Sequence, residues 1–240
     1  MNNKLTTRGM AEGAIMAGLA TIFMLIGNLP FIGVFVLLFC SVPITIATVR
    51  HGSLTGGLAA ILSTLLLALL LGPLSAISGG LQYMALGWVF GYMLYHRKSG
   101  SKTIQAGVLT AAIAALVMLL ISLGLMGFTP EAIASYMDSY TADMMEVYQS
   151  TGMIDMMAQQ GVSKTQVMEL LQQSMHMILQ IMPACLVIVR SIMAVITYFL
   201  TMLVLKRLKI RIPRIQNFQK WGLPAASVWG LIIVWALWLA

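Results

Sequence analysis

"CLVIVRSIMAVI", residues 185–196, sets one arginine, Arg190, inside an otherwise apolar run extending over 180–205. A helix needs roughly 17–25 such residues to cross a bilayer core of about 30 Å. Six more runs meet the same condition, at 10–27, 31–49, 53–71, 76–95, 103–128 and 223–240. The pattern predicts an all-α polytopic bundle of about seven transmembrane spans. Composition agrees, because 60% of the 240 residues are hydrophobic and 9% charged, with a mean hydropathy of +0.92. Soluble domains carry about 25% charged residues.

The few charges fall into a pattern. Lys4 and Arg8 precede the first run, Arg50 follows the second, "HRKSGSK" (96–102) the fourth and "KRLKIRIPRIQNFQK" (206–220) the sixth. If every run crosses, these all lie on one side, and an excess of Lys and Arg marks that side as cytoplasmic, with the amino terminus inside. The first run has a signal-like layout but ends in "GNLP" (27–30) without a small-x-small cleavage site, so it reads as a retained span. The opposite side receives "GNLP", "GPLS" (72–75) and a long segment holding Glu131, Asp138, Asp143, Glu146, Asp155 and Glu169 against Lys164. The chain therefore divides into membrane helices one to five (1–128), an extracytoplasmic helical segment (129–175), and helices six and seven (176–240) with their basic loop at 206–220. The last run stops at Ala240 without a polar flank, which is expected of a fragment or of an unusually short member of something longer.

The outer segment carries helix signals. Pro130 suits a first helical position and Glu131 the positive helix end. Ile133, Met137, Tyr140, Met144 and Val147 recur at helical spacing up to "STG" (150–152). Ser163 and Gln166 match a capping box, from which Val167, Leu170, Leu171, Ser174 and Ile178 carry a stripe into the sixth run. A helical hairpin is predicted, either a lid over a pocket or an interfacial element.

Catalytic motifs are absent from the sequence: no His-Glu-x-x-His, no Gly-x-Ser-x-Gly and no phosphate loop occurs. His51, His96 and His176 are scattered, and Cys40 and Cys185 form no Cys-x-x-Cys. No enzyme, metal site or cofactor is expected. The formal charge of +7 is accounted for by cations between apolar runs, which argues against nucleic acid as a partner.

Arg190 lies 16 residues before Lys206, about 24 Å at 1.5 Å per residue, hence about 6 Å inside the far edge of the core. Its side chain leans toward the helix amino terminus and so further outward. Two readings stand: snorkelling or pairing with the acidic cap, and an anchor for a carboxylate or phosphate on a small anionic ligand. Small residues at four-residue spacing, Gly13 with Ala17 and Ala14 with Gly18, give the first span flat faces suited to close helix packing or to a partner protein.

Two resemblances extend these readings. "TTRGMAEGAIMAGLATIF" (6–23), with "HGSLTGGLAAILSTLLLALLLGPL" (51–74) and "GGLQYMALGWVFGYML" (79–94), resembles the substrate-binding subunits of energy-coupling-factor transporters. That resemblance implies a membrane-embedded binder for a small molecule, powered by separate ATPase and coupling subunits, with Gly13, Ala14, Ala17 and Gly18 on the coupling face. The seventh span and the long outer segment depart from that pattern. Over most of its length the chain is similar to the YybS family of bacterial membrane proteins, through "TRGMAEGA" (7–14), "MPA" (182–184) and "KRLKIRIPRIQNFQKWGLP" (206–224). It implies a multi-pass protein of the bacterial plasma membrane. The alternative function is a non-transporting scaffold or regulator that binds envelope proteins or anionic lipid.

Overall fold

The computed structural model describes residues 6–29, 32–125, 130–154, 156 and 163–210. Among them there is helix and no strand. The order is α1 (Thr7–Gly27), α2 (Gly33–Leu37), α3 (Ser41–His51), α4 (Ser53–Leu71), α5 (Pro73–Gly79), a π-helical segment (Gly80–Met84), α6 (Ala85–Tyr95), α7 (Gly100–Leu125), α8 (Pro130–Ser150) and α9 (Lys164–Arg207).

Among the described residues five stretches are long and apolar enough to cross a membrane: Thr7–Gly27, Gly33–His51, Ser53–Leu71, Gly100–Leu125 and Ile181–Arg207. The apolar run at 76–95 is helical as well, but its passage from Pro73 to Tyr95 is interrupted by the π segment. The second run is also not one smooth helix, since Leu38–Cys40 form a turn between α2 and α3. The seventh run, 223–240, and the basic loop beyond Ile210 lie outside the described residues.

Local chemistry explains the sharp connections. Gly52, at φ +95°, joins α3 directly to α4, and Gly72, at φ +87°, joins α4 to α5. Both occupy backbone space that only glycine enters without strain. Pro73 then starts α5 at the position where a missing N–H costs nothing.

The bundle is built around α3, whose residues Ser41 to Thr48 are all buried. Helices α1, α4 and α6 pack on it, α7 packs on α6 and on α9, and α9 reaches α3 and α6. Thr48 sits between two glycines: an added Cβ on either Gly56 of α4 or Gly91 of α6 would run into it. A Cβ on Gly87 would meet the Ser41 carbonyl, and the Thr45 hydroxyl lies 2.9 Å from the carbonyls of both Gly87 and Ser41. In lipid no water drives helices together, so such close approach supplies the attraction. A hydroxyl pair 3.1 Å apart, Thr21 and Ser63, adds a polar tie between α1 and α4.

The cation-bearing ends converge. Glu12 near the start of α1 reaches Arg50 and His51 at the end of α3, and Val49, Leu94, Leu205 and Ile210 meet in one cluster. On the sequence reading this is the cytoplasmic end.

The second half of the outer segment and the sixth span are one helix. α9 begins at a complete capping box, in which Gln166 N–H donates to Ser163 Oγ (3.3 Å) and Ser163 N–H to Gln166 Oε1 (2.8 Å). It then runs 44 residues without a break, through the 175/176 boundary drawn from sequence. α8 packs on it with Thr141, Met145 and Val167 buried. The apolar stripe read from sequence is rotated from this face, for Tyr140 and Val147 are 53% and 52% exposed. Asp138, Asp143, Glu146 and Glu169 are exposed. Glu131, Ile133, Met137, Asp155, Lys164 and His176 lie outside the residues whose side chains are described.

Three measurements check this architecture. Gly87→Ala or Gly91→Ala should destabilise the detergent-solubilised protein by about 1–3 kcal/mol, the usual cost of overpacking. Gly18→Ala and Gly124→Ala, where nothing lies within 4 Å of the added carbon, should be neutral in the same assay. The Tyr198 hydroxyl is buried and has no hydrogen-bond partner among the described residues, so Tyr198→Phe should match or exceed the parent, by up to about 1 kcal/mol. For orientation, Asp138→Cys should react with an impermeant maleimide on intact cells, and Lys98→Cys only after lysis.

Candidate functional site

Arg190 projects from α9 into a cavity of about 290 Å³ among α2, the π segment, α6, α7 and α9. Its Nη1 donates to the Tyr83 hydroxyl at 3.2 Å, and its guanidinium carbon stands 6.0 Å from the centre of the Tyr83 ring, the outer limit of a cation–π contact. Gln82 and Thr197 are the other polar side chains of the lining, and the floor is formed by Leu86, Ala111 and Ala194. Among the described residues Arg190 meets no carboxylate. Among the described residues none of α8 lines the cavity.

The level of this pair can be counted from two independent anchors. Arg190 stands 16 residues before Lys206 and Tyr83 stands 13 before His96, which gives about 24 Å and about 20 Å above the same end. The two helices run in the same direction, so the side chains meet at matched height.

Chemically the site is a donor set. A guanidinium carries five N–H donors and no acceptor, and one of them is spent on Tyr83. Having accepted that bond, the phenol keeps its own O–H to give away. Gln82 adds an amide. A positive charge with spare donors in an apolar enclosure favours a carboxylate or phosphate.

Backbone irregularities gather at the same place. Gln82 and Tyr83 belong to the π segment, and Leu37 ends α2 where Leu38 opens the break before α3. Irregular backbone at membrane depth is tolerated where it is buried in protein or lines a cavity. π segments recur at functional sites.

The small residues of the first span part company. Gly13 and Ala17 are buried, with the Gly13 position only 3.0 Å from Thr55 Cγ2 for an added carbon, so they are used in packing α1 on α4. Ala14 is exposed, and nothing lies within 4 Å of a carbon added at Gly18. Only the second pair is open to a partner.

Sequence reasoning missed two groups. Tyr83 and Gln82 stood in an apolar run with no motif, and matching heights from the basic anchors is the signal that would have found them. The other is an ionic latch between α1 and α3. Glu12 accepts from Arg8 Nε at 3.0 Å, lies 2.7 Å from His51 Nε2, and has Arg50 Nη1 at 3.8 Å. Gly9 leaves room for His51, whose Cβ would be 3.3 Å from a carbon added there. Among the described residues no group of three His, Cys, Asp or Glu side chains could hold a metal.

Long apolar helices joined through small residues, with cations collected at one end, define a polytopic helical membrane protein. Residues 17–240 match the family described as predicted membrane protein (DUF2232), and the chain belongs to that family. It is 24% identical over 228 residues to a protein of Bacillus subtilis (strain 168) described as "Uncharacterized protein YybS". That similarity covers 92% of this chain and 70% of the relative, in line with the resemblance read from sequence. No solved structure matches the chain.

The latch has a testable consequence. Glu12→Ala should free the first turn of α1 and speed tryptic cleavage after Arg8 in permeabilised cells. A digestion rate equal to the parent's would mean that the latch does not hold α1.

Proposed function

We propose that this membrane protein holds a small anionic molecule in the Arg190 cavity. The observation that carries the proposal is a guanidinium lining an intramembrane cavity and bonded, among the described residues, to a neutral phenol rather than to a carboxylate. A cation costs about 2.5–3.5 kcal/mol at the helix centre on insertion scales and less toward the outer edge where Arg190 stands, and such residues tend to face cavities and mark ligand or ion paths. An anion would offset that cost where Tyr83 alone offsets little of it.

If the likeness to energy-coupling-factor substrate subunits extends to function, the site loads a solute for uptake and separate ATPase and coupling subunits drive its release. The coupling surface on α1 then falls on Ala14 and Gly18, because Gly13 and Ala17 are occupied inside. Copurification of an ATPase, lost in Gly18→Trp while the fold persists, is the outcome that supports this extension.

The central test is retention. Protein purified rapidly in mild detergent and extracted for mass spectrometry should yield an anion in roughly stoichiometric amount. Arg190→Gln should reduce it about tenfold or more, the worth of one charge-assisted hydrogen bond. Equal retention by the variant would remove Arg190 as the anchor.

A further inference from the structure

We infer that the anion is an amphiphile, with a carboxylate or phosphate head on Arg190 and Tyr83 and a hydrocarbon tail leaving the cavity between α2 and α9 into the bilayer. This rests on the reading of Arg190 as an anion anchor, and adds the class of molecule and its route.

Four observations lead there. First, Arg190, Tyr83 and Gln82 stand together, and the one other polar side chain of the lining, Thr197, is a buried hydroxyl about 10 Å further along α9, all other lining residues being apolar. A solute charged at both ends would meet no more than one hydroxyl at its second end, at the cost of burying a charge without a counter-charge.

Second, the rim is hydrocarbon. Val34 of α2 and Val189 of α9 both line the cavity and are 56% and 50% exposed, whereas the lining residues Leu86, Ala111, Ala194 and Thr197 are buried. Both valines lie within stretches apolar enough to cross a membrane, so among the described residues they are left facing the bilayer. The opening is therefore lateral.

Third, the cavity is small. At about 290 Å³ it stands at the lower end of the roughly 300–1,000 Å³ typical of ligand pockets. It suits a head and the first few carbons, and the remainder of a chain would lie in the groove marked by Val34 and Val189.

Fourth, the depth fits. Arg190 stands about 24 Å above Lys206 in a core of about 30 Å, and its side chain leans toward the far surface. A lipid or fatty acid in that leaflet brings its head to within a few ångströms of the guanidinium without crossing the hydrocarbon. A water-borne anion would have to shed its hydration against an apolar rim.

The test uses the full chain reconstituted in phosphatidylcholine vesicles. Chain-spin-labelled stearate supplies a carboxylate head, chain-spin-labelled phosphatidate a phosphate head, and spin-labelled phosphatidylcholine the reference. Acetate and inorganic phosphate, added from the aqueous side, serve as competitors without tails. At least one anionic probe should be motionally restricted in clear excess over the reference, and the tailless anions should not displace it at equal concentration.

Arg190→Gln should lower that preference roughly tenfold, and Arg190→Lys, which keeps the charge, should retain most of it. Leu186→Trp fills the cavity without removing charge and should weaken restriction while the thermal midpoint stays near the parent's. Which probe is preferred tells a carboxylate head from a phosphate head.

If acetate or phosphate binds in an Arg190-dependent way while both amphiphiles match the reference, the amphiphile is overturned and the anion anchor stands. If no probe or competitor responds to Arg190→Gln, both fall together.

Discussion

The structure depends on how closely α3 is approached by its neighbours. Thr48 fits between Gly56 and Gly91, and Gly87 lies against the Ser41 backbone with its carbonyl accepting from Thr45. Three glycines on two helices thus set the distance of α4 and α6 from the buried centre. Dispersion falls off steeply with separation, so a side chain at any of them would loosen the whole contact. Everything else is arranged around this clasp: α1 reaches α3 and α4 on one flank, and α7 with α9 completes the other.

Holding α3 and α6 so near each other fixes where irregular backbone can occur. The break at Leu38–Cys40 and the π segment at Gly80–Met84 fall beside one another, and α9 crosses them carrying Arg190. A helix that departs from regular hydrogen bonding in hydrocarbon needs cover, and here the cover and the cavity are made by the same residues. The π turn carries Gln82 and Tyr83, so the departure from α geometry also brings the phenol to the guanidinium.

Much of this was legible in the sequence because hydrocarbon imposes a length. The runs at 10–27, 53–71, 103–128 and 180–205 became helices α1, α4, α7 and the membrane part of α9 with small changes at their ends. The Ser163–Gln166 box marked the start of α9 because capping is local chemistry within four residues. Tyr83 was marked by no motif and only by its height above the basic anchor, since its bond to Arg190 joins residues 107 apart and depends on tertiary placement. Nor was the break before α3, for Leu38, Phe39 and Cys40 carry no turn signal. Gly13–Ala17 and Ala14–Gly18 are offset by about 100° on one helix, and pattern alone gives no means of telling which pair faces inward.

The unbroken course of α9 has a mechanical consequence. Its 44 residues span about 66 Å, more than twice the hydrocarbon thickness, so roughly half of the rod stands beyond the bilayer with α8 strapped to it. A tilt imposed on the outer hairpin is carried to Arg190 by main-chain hydrogen bonds, with no loop to absorb it. Pro183, seven residues from Arg190, removes one of those bonds and so forms a compliant joint in an otherwise stiff lever. The wet hairpin and the guanidinium stand on one helix, on either side of this joint.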